Sequence, residues 1–295
     1  MSNPNQFPIY IVSKGRADSR LTAKSLEAMR LDYQIVVEEQ EVGEYAKVID
    51  NRKIIILDKK YQDDYETCDF LGNSKSKGPG PARNFVWDHA IKNGFSWHWV
   101  MDDNINGFYR LNDNLKVQSK SGLIFKAMED FCLRYKNVGM AGPNYFMFAF
   151  RKSVMPPFVL NTRIYSCNLM RNDIEFRWRG RYNEDTDLSL NILKAGYCTI
   201  QFNAFLQKKV RTQVLKGGNT DAFYSKEGTL PKSEILVKMH PDVAKVVYKF
   251  KRWHHYVDYS PFKNLKLEKK DNLKIESGIN NYNMKLVKIK QSQVE

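Results

Sequence analysis

The stretch FSWHWVMDDNI, residues 95–105, decides the fold. Trp97 to Met101 reads as a buried strand, and it stops at three oxygen-bearing side chains, Asp102, Asp103 and Asn104. A strand that runs into clustered carboxylates sets them at the carboxyl edge of a parallel sheet, where open α/β folds bind their ligands. Oxygens so placed can hold a hard divalent cation, and such a cation can bridge a nucleoside diphosphate. The same letters also make a plain strand followed by an Asp/Asn turn. The neighbouring sequence bears on the choice.

Upstream, short apolar runs alternate with helical spacing. Pro8 to Ser13 (PIYIVS), Tyr33 to Glu38 (YQIVVE) and Lys53 to Leu57 (KIIIL) read as strands. A helical pattern through Leu21, Leu26 and Met29 separates the first two, and a short helix over Glu41 to Val48 precedes the third. Strands alternating with helices argue for parallel α/β structure, and near-continuous apolar strands argue for a sheet covered on both faces. Residues 58–80 form a long polar loop that ends in Gly78-Pro79-Gly80-Pro81. A helix over Ala82 to Lys92 then leads into the deciding strand.

Downstream, Ser121 to Tyr135 is an amphipathic helix. Val138 to Ala141, Tyr145 to Arg151, Arg163 to Met170 and Thr199 to Phe202 read as strands. Leu188 to Ala195 is a helix stopped by Gly196. Residues 208–230 are polar and contain glycine, as a lid would. From Pro231 the chain is expected to be helical, then basic and aromatic, and from about Glu268 onward a loose tail or edge hairpin. No internal repeat is visible.

Composition limits the partners. The 295 residues carry a net charge of +14, the balance of a protein that meets polyanions, nucleic acid first among them, or equally of a soluble protein that is merely basic. No apolar run approaches the ~20 residues of a membrane span, and MSNPNQFPIY lacks the layout of a secretion signal. The expectation is a soluble, intracellular protein. The four cysteines, Cys68, Cys132, Cys167 and Cys198, show no CxxC spacing and suit reduced thiols rather than a zinc site.

Three further clusters carry chemistry. The Gly78–Asn84 segment opens a helix, where free backbone N–H groups and the dipole favour an anion; Gly80 belongs to that loop and Arg83 can add a bidentate contact. It also reads as a plain helix start with Pro in its first turn. Asn183-Glu184-Asp185-Thr186-Asp187 opens another helix. Either Asn183 caps it and the acids suit the dipole, or a carboxylate fixed there serves as a general base. Finally, cations and aromatics interleave at Arg171, Arg177, Arg179, Arg181 and Tyr182, and again over KVVYKFKRWHH, residues 245–255. That mixture fits phosphate contacts and base stacking, with Lys249, Lys251 and Arg252 as candidates beside Arg177, Arg179 and Arg181. An edge strand with a solvated face explains the second segment equally. One of the downstream histidines His240, His254 and His255 could complete a metal shell, His240 being the one assigned, and a His near Trp and Tyr also reads as simply packed or exposed.

In this order the pieces resemble the GT-A type of nucleotide-sugar glycosyltransferase. That family has an N-terminal strand and loop (here Val12 to Arg16) and a Gly-x-x-Arg-Asn helix (Gly80 to Asn84). A strand ending in an Asp-x-Asp-like motif follows (Met101 to Asn104), and later an acidic pair that opens a helix (Glu184 to Leu188). The chain departs from the pattern at Asn104, where Asp is usual. The opening PIYIVSKGRADSRLTAKSL, with the GPGPARN, MDDN and NEDTDLSL blocks, is similar to the TET-associated glycosyltransferases of bacteriophages, which are implied to add sugars to hydroxymethylated pyrimidines in DNA.

The resemblance implies an α/β fold of GT-A type: a Rossmann-like mixed, mostly parallel sheet flanked by helices, with a smaller basic C-terminal extension. The implied catalytic domain is residues 1–230, with a nucleotide-sugar half over 1–105 and an acceptor half over 106–230; the extension is 231–295. It implies a UDP-sugar near Ser13, Lys14 and Arg16, with Glu38 or Glu39 on the base or ribose, Arg83 on the base or diphosphate, and Gly80, Asp102 and Asp103 also binding the nucleotide sugar. It implies Mn2+ or Mg2+ on Asp102 and Asn104, with Asp185 as the first choice of base and Glu184 the second. The acceptor would be 5-hydroxymethylcytosine or a related base in double-stranded DNA, in the cytoplasm of an infected bacterial cell. Direct displacement with a single base implies inversion at the sugar carbon. A GT-A enzyme acting on a glycan, lipid or protein, and a non-catalytic DNA-binding protein, are the alternative readings.

Overall fold

The structure, a computed structural model, describes residues 5–69, 76–210, 230–274, 278–280 and 282–285. The N-terminal part runs β1 (Ile9–Val12), α1 (Leu21–Ala28), β2 (Gln34–Val37), α2 (Val42–Ala46), β3 (Ile54–Ile56), α3 (Lys59–Asp63), α4 (Gly80–Lys92) and β4 (Trp97–Asp102). A hairpin follows, β5 (Ile105–Asn112) and β6 (Leu115–Gln118), then α5 (Leu123–Cys132), β7 (Val138–Tyr145), β8 (Phe158–Leu160), β9 (Cys167–Arg171), α6 (Glu184–Lys194) and β10 (Cys198–Lys209). The C-terminal part holds α7 (Leu230–Met239) and a separate hairpin, β11 (Ala244–Lys249) and β12 (Arg252–Val257).

One ten-stranded sheet runs β3-β2-β1-β4-β9-β7-β10-β5-β6, with β8 on β10. β1 to β4 are mutually parallel; β5, β8 and β9 run against the others, so the sheet is mixed and mostly parallel. The central strands are buried on both faces, which explains their near-continuous apolar letters. On one face Ile11, Ile35, Trp99 and Met101 pack with Leu26 of α1 and Phe125 of α5. On the other, Tyr10, Val36 and Val100 pack with Val86 and Trp87 of α4 and Leu188 and Ile192 of α6. Burying one such side chain fully is worth about 1.5–3 kcal/mol. The polar member of WHWVM, His98, is fully buried; its Nδ1 lies 2.6 Å from Asn172 Oδ1, and burial pulls the imidazole down to about 4, so it is neutral.

Several boundaries differ from expectation. The stretch 95–105 is not one strand: β4 ends at Asp102 and Ile105 already begins β5, so Asp103 and Asn104 are the turn between two strands. The β5–β6 hairpin was not expected. Tyr145 to Arg151, expected as a strand, contains a 3-10 turn over Phe146–Phe148. The loop 58–80 contains α3. Most of the lid expected over 208–230, and part of the tail after Glu268, lie outside the described residues. The C-terminal part packs on the back of α6, where Leu190 and Leu193 meet Leu236, Val243 and Phe262.

Candidate active site

The carboxyl ends of β1, β2 and β4, the start of α4 and the start of α6 converge on one cavity of about 380 Å³. Val12, Ser13, Lys14, Arg16, Glu38, Arg83, Asp102, Asp103, Asn104, Glu184 and Asp185 all line it. Positions dispersed across the sequence thus share one wall system, as the strand-end rule for open sheets requires.

Arg83 is the hub. It sits in the first turn of α4, 2% exposed, against the Trp178 ring. Its Nη2 donates to Asp102 Oδ1 at 2.7 Å, while Nη1 donates to Asp185 Oδ1 at 2.7 Å and Glu184 Oε1 at 3.2 Å. The guanidinium was expected on the base or diphosphate; instead it joins the end of β4 to the start of α6. A cation in the first turn of a helix opposes the dipole, and these three carboxylates offset that cost.

Each carboxylate is tuned by this arrangement. Burial pushes Asp102 upward, but Lys209 and Arg83 outweigh it and hold the carboxyl well below its usual range. Burial also pushes Asp185 up, with Glu184 and Asp102 adding to it against Arg83, to about 7. Asp103 faces a different group: Ser13 Oγ donates to its Oδ2 at 2.8 Å and Arg16 to its Oδ1, with Tyr45 against Ser13 at 2.6 Å. Burial raises Asp103 despite these partners. Lys14 reaches Glu38 at 2.6 Å, beside Gln62 at 2.9 Å.

Several expected roles do not survive the geometry. Gly80 does not line the cavity; a Cβ there would overlap the Tyr65 ring, whose hydroxyl donates to the Gly180 carbonyl, so this glycine serves packing. Glu39 is exposed and outside the cavity. His240 is not brought to Asp102. It is buried behind α6, with Nε2 2.8 Å from Asp187 Oδ1 and Nδ1 3.0 Å from Lys194 Nζ, so both ring nitrogens are engaged. The arginine cluster is internally paired: Arg177 with Asp88, Arg179 with Asp187, and the buried Arg181 with Asp69. These pairs hold the loop before α6 in place; Arg181 is fully buried, while Arg177 and Arg179 keep about a third of their side chains exposed. Lys249, Lys251 and Arg252, in contrast, are exposed on the β11–β12 hairpin.

The expected metal set can be tested on the same atoms. Asp102 has both oxygens occupied, Oδ1 by Arg83 and Oδ2 by Lys209 at 2.6 Å. Asp103 is turned to Arg16 and Ser13. Asn104 gives its amide to the Val210 carbonyl at 3.2 Å, and its buried Oδ1 has no partner. Among the described residues no three His, Cys, Asp or Glu side chains are grouped to hold a metal ion. One orphaned amide oxygen is a ligand in waiting, but the side chains as arranged do not fit a divalent cation.

A family model described as TET-Associated Glycosyltransferase matches residues 7–218, more than half of the chain. The chain belongs to this family. As a TET-associated glycosyltransferase it has a nucleotide-sugar donor and an acceptor to bind. No curated protein matches the chain. Among its described residues no helix is long and apolar enough to cross a membrane.

Sequence reading missed the opposite wall of the glycosyltransferase's cavity. Lys209 ends β10, Tyr145 ends β7, and Tyr165 and Ser166 precede β9; Lys232 and His255 come from the C-terminal part. The available signal was QFNAFLQKK, a second long strand closing on lysine. Lys209 and Asp102 are 107 residues apart, a pairing only the sheet order reveals.

Proposed function

We propose that this glycosyltransferase moves a sugar from uridine diphosphate to the hydroxyl of a 5-hydroxymethylpyrimidine in DNA, 5-hydroxymethylcytosine foremost. The observation that carries the reading is Asp185. It is a carboxylate at the cavity wall with its affinity for protons raised to about 7, fixed by the start of α6 and by Arg83. Arg83 and Asn168 both reach its Oδ1, which leaves Oδ2 to take a proton. A general base works best with its pKa near the operating pH.

In the proposed reaction the acceptor hydroxyl gives its proton to Asp185. Its oxygen forms a bond to the sugar's anomeric carbon, and the bond from that carbon to the β-phosphate oxygen breaks. The electron pair leaves with uridine diphosphate. One displacement on one face inverts the anomeric centre. Ser13, Lys14, Arg16 and Glu38 line the end of the cavity nearest β1 and β2, a setting suited to the nucleoside. The DNA part of the reading is supported by the net charge of +14 and by the exposed Lys249, Lys251 and Arg252. In a duplex the hydroxymethyl group points into the major groove. The test is incubation with a panel of nucleotide sugars and with plain or hydroxymethylated duplex, followed by nucleoside mass spectrometry. A mass gain of one sugar on the hydroxymethylated base alone is expected. Transfer to no DNA under any donor would remove the acceptor reading.

A further inference from the structure

Lys209 is the cation that holds Asp102 Oδ2, an oxygen of the carboxylate expected to bind the metal. It is the last residue of β10, beyond an irregularity in the β10–β5 pairing between Gln207 and Lys209, the kind of feature that re-aims a side chain beside a site. The strand end is clamped to the polar turn: Val210 N donates to the Asn104 carbonyl at 3.0 Å, and Asn104 Nδ2 donates back to the Val210 carbonyl. Lys209 Nζ then donates to Asp102 Oδ2 at 2.6 Å and to Ser166 Oγ at 2.8 Å, and Ser166 is itself held by the Tyr145 hydroxyl at 2.8 Å. An ammonium has three hydrogens, so one remains after these two bonds. Lys209 is 17% exposed and lines the cavity, so that hydrogen has access to a ligand.

We infer that the Lys209 ammonium, steadied by Asp102 and Ser166, is the cation that meets the donor's diphosphate, and that donor binding needs no divalent metal. The inference rests on the nucleotide-sugar reading above. It follows from two features of the same atoms. Both oxygens of the strand-end carboxylate already accept from a cationic side chain, and the one on Oδ2 is tied to the wall of the cavity. A point charge on a pre-organised side chain can stabilise a leaving diphosphate without reorganising.

The experiment is calorimetric binding of uridine diphosphate and of uridine. Wild-type protein is measured in EDTA and in Mn2+, and Lys209→Met and Lys209→Arg are measured beside it. Expected is wild-type affinity for the diphosphate equal within about twofold in the two buffers. Losing one charge-assisted bond in Lys209→Met should weaken the diphosphate by about ten- to a hundredfold. Uridine should be unaffected, and Lys209→Arg should keep part of the diphosphate affinity. Lys209→Met leaves Arg83 on Asp102, and unchanged uridine binding reports an intact fold. If it does not fold, the wild-type comparison still decides. Diphosphate binding that vanishes in EDTA and returns with Mn2+ overturns the inference and leaves the donor reading standing. Unchanged diphosphate affinity in Lys209→Met also overturns it. Binding of neither ligand in either buffer removes the donor reading and the inference together.

Discussion

At the scale of single residues, the site is an exercise in sharing one guanidinium among three carboxylates. Arg83 holds Asp102, Glu184 and Asp185 together across the mouth of the sheet. Removing one partner from a buried ion group leaves uncompensated charge and costs about 3–5 kcal/mol. Arg83→Met is therefore expected to lower stability by about that amount, read as the urea midpoint. Arg83→Lys should recover little, since an ammonium lacks the fork that spans two elements. A wild-type midpoint in Arg83→Met would end this account of the hub. Asp185 makes a separate prediction. Its acid stays protonated below about 7, so kcat/KM should climb tenfold per pH unit up to that point and then level. Asp185→Asn should abolish the climb and reduce kcat by about 10²–10⁴ while uridine diphosphate still binds. The stability sign is opposite. The folded state keeps a proton that the unfolded chain releases near 3.8, so the contribution of Asp185 to stability falls as pH rises between those values. A flat rate profile between pH 5 and 7 would exclude Asp185 as base. Legibility at this scale was uneven. Arg83, Asp102 and Asp185 were visible because charge stood at the ends of apolar elements. Their mutual pairing was not, because Arg83 meets Asp102 19 positions away and Asp185 102 positions away, across separate elements.

At the scale of elements, those with one strong period were legible and those set by their neighbours were not. β1, β2 and β4 appear as apolar runs because each is covered on both faces. β5 and β6 lack that pattern: β6 is the edge strand and exposes Leu115 and Val117, and β5 beside it is only partly buried. The basic segment 245–255 proved to be a hairpin whose Lys249 and Arg252 pair across a two-residue turn, Phe250-Lys251. Both turn residues have positive φ, 52° and 59°, a conformation that Asn-Gly adopts far more cheaply than Phe-Lys. Phe250 is 89% exposed at that tip. Replacing Phe250-Lys251 by Asn-Gly is expected to raise stability by about 1–2 kcal/mol in thermal unfolding. The same variant is expected to bind duplex DNA more weakly, since it removes the exposed ring and one cation. A variant more stable and equally tight on DNA would show that the strained tip has no part in binding.

At the scale of the whole molecule, the question is where the excess positive charge acts. The net +14 indicated a polyanion from the outset, but the arginine cluster before α6 is occupied by Asp88, Asp187 and Asp69. Among the described residues, the β11–β12 hairpin is an exposed basic surface that adjoins the cavity. Its β12 strand reaches the cavity wall through His255, and its tip carries Lys249, Lys251 and Arg252. This arrangement predicts a division in salt dependence. Each phosphate neutralised contributes about −0.9 to the slope of log K against log salt. Converting all three hairpin cations to Gln should therefore flatten the slope for duplex DNA by up to about 2.7. Arg177→Gln, which removes a cation already paired with Asp88, should leave the slope within about 0.3 of wild type. Fluorescence anisotropy of a labelled duplex across a salt series measures both. The two results depend on geometry rather than composition, since both variants remove positive charge. Equal slopes for the triple variant and wild type would move the DNA contact away from the hairpin, whereas a flattened slope in Arg177→Gln would mean that its pairing with Asp88 opens on binding.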